Sequence, residues 1–104
     1  MNWIENVYVS EQMQDVETVL YSLKKEIPVL HVYLIAVEQR EGKARLVTLS
    51  SVSALRRKET HENLWVVGVA FGPIQARRLL VEIIADAAGR YGTVEGLAEQ
   101  LMKE

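Results

Sequence analysis

Apolar side chains recur at Met13, Val16, Leu20, Leu23 and Ile27, in steps of three and four that predict an amphipathic helix over 11–26. Ser10 is placed to cap its first turn, Glu11 and Asp15 lie near the positive end of the helix dipole, Lys24 and Lys25 near the negative end, and Pro28 stops it. Upstream, Val7 and Val9 flank Tyr8 in a short β-prone stretch that reads as an edge strand. Downstream, Val29 to Val37 is apolar except for His31, and Glu41-Gly42 separates it from Arg45 to Val52, the pattern of a β-hairpin. A polar loop then leads to a third strand, Leu64 to Phe71.

Gly72-Pro73 starts a second helix, because Gly suits the cap and Pro at the first helical position loses an amide hydrogen that had no partner. This helix is expected to reach about Ala88, with Ala76, Leu79, Leu80, Ile83, Ile84 and Ala87 on a wide apolar face and Gln75, Arg78, Glu82 and Asp86 on a narrow polar strip. Gly89 and Gly92 bracket a turn, Thr93 is placed to cap a third helix, and Val94, Leu97, Ala98, Leu101 and Met102 draw its apolar stripe. No internal repeat, low-complexity tract or linker interrupts the chain. The order is therefore (β)αβββαα in a single domain over 1–104, an α+β two-layer sandwich with an antiparallel sheet of three to four strands and helices on one face.

The hairpin turn sets the strand register: three residues would shift it by one and swap one strand's faces, whereas two or four residues give one pairing. The latter pairs Leu34 with Leu49, Ala36 with Val47 and Glu38 with Arg45 on one face, and Tyr33 with Ser50, Ile35 with Thr48 and Val37 with Leu46 on the other, to which His31 also belongs. Leu64 to Phe71 carries no polar side chain on either face, as expected of a strand covered on both sides. Helices on one face leave the other apolar face wet, at roughly 25 cal/mol per Å². A second subunit in a homodimer is the favoured cover. The alternatives are a C-terminal helix that wraps across, or a monomer in which Gly68 and Ala70 let a helix pack closely and Trp65 and Phe71 lie in its own core.

Composition narrows the functional classes. Among 104 residues, 12 Lys and Arg stand against 14 Asp and Glu, a formal charge of −2 that gives no long-range attraction for nucleic acid or an anionic membrane. The absence of cysteine excludes disulfides, thiolate nucleophiles and Cys-ligated metals, and suits a cytoplasmic location. The start, MNWIENVYVS, has neither the basic nor the long apolar region of a signal peptide, so the mature chain is expected to begin at Met1. The longest apolar run, Leu64 to Phe71, falls far short of the roughly 20 residues of a membrane span.

Three clusters are candidates for chemistry. At the Gly72-Pro73 helix start, outward-pointing amides suit a phosphate or carboxylate, and a meander would bring Lys43 and Arg40 close to Arg77 and Arg78 at the same end of the sheet. The segment lacks the Walker Gly-Lys-Ser/Thr ending and the full G-x-G-x-x-G spacing. Arg56, Arg57, Lys58 and His61 form a basic loop fit to touch a polyanion or to complement helix C-termini. His31, Tyr33, Ser50, Trp65 and Phe71 mark a pocket or interface face. Any catalysis would rest on His31 with Tyr33 and Ser50, although no catalytic residue is assigned.

His61-Glu62 does not continue to H-E-x-x-H, no metal site is read, and no cofactor is implied. The last two helices, joined by Gly-Arg-Tyr-Gly, resemble a helix-turn-helix, but Glu95, Glu99 and Glu104 on the second would repel phosphates. The order βαβββα is similar to that of ribosome hibernation factors, and αβββα to that of double-stranded-RNA-binding domains. This likeness of topology implies an RNA- or ribosome-associated module as the alternative function. The chain has Ile74, Gln75, Ala76, Arg77 and Arg78 where the RNA-binding domain's second helix begins Lys-Lys-x-Ala-Lys. The reading the residues favour is a small self-associating interaction or regulatory domain, partnered by its own copy or another protein rather than by nucleic acid or membrane. A small-anion or nucleotide-binding domain is a further alternative.

Overall fold

The computed structural model describes residues 1–56, 62–92 and 96–102. The strands are β1 (Asn2–Val9), β2 (Val32–Arg40), β3 (Lys43–Ser50) and β4 (Leu64–Phe71), and the helices are α1 (Val16–Lys24), α2 (Ser51–Arg56), α3 (Pro73–Tyr91) and α4 (Leu97–Met102). They form one mixed sheet in the order β1-β4-β2-β3, in which β4 runs parallel to β1 and antiparallel to β2. The α+β class agrees with the expectation from the sequence. The sheet differs in one detail: β4 does not continue a meander beside β3 but inserts between β1 and β2. The strand order of an αβββα meander, on which the likeness to RNA-binding domains rested, is thus not formed.

The hairpin has the expected register, with Leu34 opposite Leu49, Ala36 opposite Val47 and Glu38 opposite Arg45. Its two turn residues, Glu41 and Gly42, both have positive φ (53° and 77°), the requirement of a tight turn whose twist matches the strands. At the rim, the Arg45 guanidinium donates to Glu38 Oε1 at 2.9 Å.

Both faces of the sheet are covered by the chain itself. Ile35, Val37, Val67 and Ala70 face α3 and α4 and are buried with Leu79, Ile83 and Leu101. Leu34, Ala36, Val66 and Val69 point the other way and are buried with Leu23 of α1 and Ala54 of α2. The expectation of helices on one face gives way to helices on both. The physical reason lies in β4: apolar on two sides, it takes an inner position in the sheet, and α1 and α2 supply the second cover. Trp65 packs against the first core, whereas Phe71 at the strand end stays half-exposed.

Helix α1 is shorter than its hydrophobic stripe because both ends are committed elsewhere. The Ser10 hydroxyl, expected to cap it, accepts the Phe71 N–H at 3.3 Å, and Met13 turns into the second core. At the other end, Ile27 N–H donates to Ser22 C=O and Glu26 N–H to Leu23 C=O, both at 2.9 Å, with Glu26 at φ 62°. These are the two bonds of a Schellman C-cap, and they turn Ile27 out of the stripe.

Helix α2 was not legible as a helix. Ser50 ends β3 and caps it, its Oγ accepting the Ser53 N–H at 3.1 Å. The expected capping role of Thr93 lies outside the described residues. The turn expected to begin at Gly89 does not form there: α3 runs on to Tyr91 and closes at Gly92, whose N–H donates to Ala88 C=O at 2.8 Å. Gly89 is exposed inside the helix, and a Cβ there would meet nothing within 4 Å. Gly89→Ala should therefore stabilise the fold by about 0.5–1 kcal/mol, read as a rise of several degrees in Tm.

Candidate functional site

The three sequence-derived clusters fare differently. Lys43 pairs with Arg40 at the hairpin end, whereas Phe71, just before Gly72, pairs with Val32 at the far end of β2. Eight residue steps of strand separate them, about 25 Å. Lys43 and the start of α3 are therefore not brought together, because β4 lies antiparallel to β2.

The helix start itself has little left to offer an anion. The Gly72 N–H donates to His31 C=O at 2.7 Å, and Pro73 has no N–H to give. Arg77 is exposed, and Arg78 lines a small polar recess together with two acids, Glu11 and Glu82. Of the basic loop, Arg56 is the exposed last residue of α2, while Arg57, Lys58 and His61 lie outside the described residues.

The pocket face divides in two. Tyr33 and Trp65 lean on the α3 core, and the Ser50 hydroxyl is occupied in capping α2. His31 and Phe71 meet at the sheet end, their rings edge to face with centroids 6.0 Å apart. Tyr33 stands opposite Ser50 in the strand register, but no hydrogen bond joins Tyr33, Ser50 and His31 to one another. Among the described residues no group of three or more His, Asp or Glu is placed to hold a metal ion.

What the sheet end does assemble is apolar. Leu30 and His31 occupy a turn closed by Val32 N–H donating to Val29 C=O at 3.3 Å, with His31 at φ 66° in a position where glycine is the ordinary choice. The Gly72–His31 bond ties this turn to the beginning of α3. Three large apolar side chains on these two segments stay open: Leu30 is 71%, Ile74 65% and Phe71 49% exposed. Beside them a pocket of ≈ 380 Å³ opens between the loop before α1 and the sheet. Met13, Val19, Val29, Val32 and Phe71 form its apolar wall, and Gln12, Gln14 and Asp15 its polar side.

Sequence reasoning named His31 and Phe71 but missed Leu30 and Ile74. The available signal was their place off the stripes: Ile74 falls outside the apolar face of α3, and Leu30 comes after the proline that ends the first helical pattern.

A polar cluster on the other side of β4 has a structural role. The Tyr8 hydroxyl donates to Asp86 Oδ2 and accepts from Arg90 at 2.6 Å, and Arg90 Nε lies 3.5 Å from the same carboxylate. Edge strand β1 is thereby fastened to α3. No protein-family model, curated protein or solved structure matches this chain.

Proposed function

We propose that the protein is a small self-associating interaction domain, and that its contact surface is the sheet end where Leu30, Phe71 and Ile74 project. The observation that carries this reading is the exposure of these three side chains in a domain that otherwise covers both faces of its sheet. Single exposed apolar residues are ordinary; a group of them beside a pocket marks an interaction site. None of the three carries charge, so a two-fold contact sets apolar surface on its own copy with no like charges facing each other. The uncovered sheet face that first suggested a dimer is absent, and the contact moves to the sheet end. Among the described residues no helix is long and apolar enough to cross a membrane. We place the domain in the cytoplasm, where a chain without cysteine forgoes nothing.

Sedimentation or light scattering from micromolar to millimolar protein tests the reading. The mass should rise from monomer toward dimer, and Leu30→Asp/Ile74→Asp should remain monomeric at every concentration with an unchanged circular dichroism spectrum. A wild-type protein that stays monomeric throughout overturns it.

A further inference from the structure

We propose that the pocket beside Phe71 is a binding site for a small organic cation, an ammonium group on an aryl or alkyl body. This goes beyond self-association, because the pocket is complete within one copy of the chain. Its volume, ≈ 380 Å³, falls in the range of small-ligand sites, and its wall is apolar apart from one edge.

The edge supplies the charge. Asp15 is the only ionisable residue among the described residues of the lining, and its carboxylate makes no hydrogen bond or ion pair with any described residue. The loop and first turn that carry it hold Glu11, Asp15 and Glu17 and no Lys or Arg. The amide end of α1 contributes about half a positive charge, which these carboxylates outweigh. Gln12 and Gln14 add neutral groups able to accept further N–H donors. Phe71 adds an aromatic ring to the wall, a surface to which cations are attracted.

The backbone at Asp15 points the same way. Of the four described residues other than glycine with positive φ, Glu26, His31 and Glu41 occupy turns that call for a left-handed residue. Asp15, at φ 52°, stands instead at a helix entrance, where a capping residue normally takes an extended conformation and bonds forward to the first turn. It forgoes the cap bond and lines the pocket. Strained backbone of this kind concentrates at ligand clamps.

The probe is phenethylamine, followed through the methyl NMR signals of Met13, Val19, Val29 and Val32, with phenylacetate and benzyl alcohol as anionic and neutral counterparts of similar shape. Phenethylamine should shift these methyls saturably, phenylacetate should not, and benzyl alcohol should bind more weakly than the amine. Asp15→Asn should weaken phenethylamine about tenfold without disturbing the remaining spectrum. Absence of a saturable shift, phenylacetate binding as tightly as the amine, or an unchanged affinity in Asp15→Asn overturns the proposal. Leu30→Gln/Ile74→Gln retains every lining residue and adds no charge, so it should be monomeric and still shift saturably with phenethylamine, and pocket binding and self-association fail separately.

Discussion

Ser51→Ala should lower the stability of the domain by about 2–3 kcal/mol, which for a chain of this size is a fall in Tm of roughly 10–20 °C. The Ser51 side chain is fully buried at the first position of α2, and its hydroxyl makes two bonds to one residue. It donates to Val29 C=O at 2.6 Å and accepts Val29 N–H at 3.1 Å, holding the segment that leads into β2 against the end of the hairpin. Alanine fills the space almost as well but leaves the half-buried Val29 N–H without a partner and its C=O with only the longer bond from Val32 N–H, and that desolvation is the larger part of the cost. Ser50→Ala, one residue earlier, removes only a helix cap and should cost about 1 kcal/mol. Urea unfolding of the two variants separates them. Equal losses would mean that water replaces the Ser51 hydroxyl at Val29.

The hairpin was readable except for the length of its turn. The sequence left a three-residue turn open; with the two-residue turn at Glu41-Gly42 that the structure forms, the side-chain period of two leaves one register, which puts Leu34, Ala36, Val47 and Leu49 on a common face. Leu64–Phe71 was equally plain as a strand, since its apolar run needs cover on both sides. Its position was not, because chain order favours a neighbour in sequence while the burial of both faces favours an inner slot between β1 and β2. The pairing with β2 reverses which end of the sheet α3 starts from, and this one difference separates Lys43 from Arg77 and Arg78.

The missed helix α2 has a similar cause. Ser50, Ser51 and Ser53 suit a strand end, a loop or a helix start equally, and only the partners of their hydroxyls decide among them. Without α2, half the cover of the second face disappears from view and a second subunit is invoked in its place. The site was partly legible for the same reason: Leu30, His31 and Phe71 all fall in predicted strands, but the segments that carry Leu30 and Ile74 are joined only by the bond between His31 and Gly72.

Gly68→Val should cost about 3 kcal/mol, at the upper end of what overpacking a core does. Local preference points the other way, since valine is among the best strand formers and glycine among the worst. The packing decides. Ile35 pairs with Gly68 and Ala36 with Val66, so Val67 is an extra residue in β4, and Val67 and Gly68 both turn toward α3. A Cβ at Gly68 would stand 2.9 Å from Ile83 Cδ1 and 3.2 Å from Leu79 Cδ2, both on buried side chains of α3. Valine adds two methyl groups beyond that Cβ, where the helix already lies against the strand. The clash with Ile83 is made by one terminal methyl, so Ile83→Val, itself costing about 0.5–1.5 kcal/mol, should return part of the loss. The double variant is expected to be more stable than the sum of the single losses by about 1 kcal/mol. Chemical denaturation of the four proteins measures this coupling. Strict additivity, or a Gly68→Val protein as stable as the wild type, would show that α3 moves away from the sheet at no cost and that its close approach does not hold the fold together.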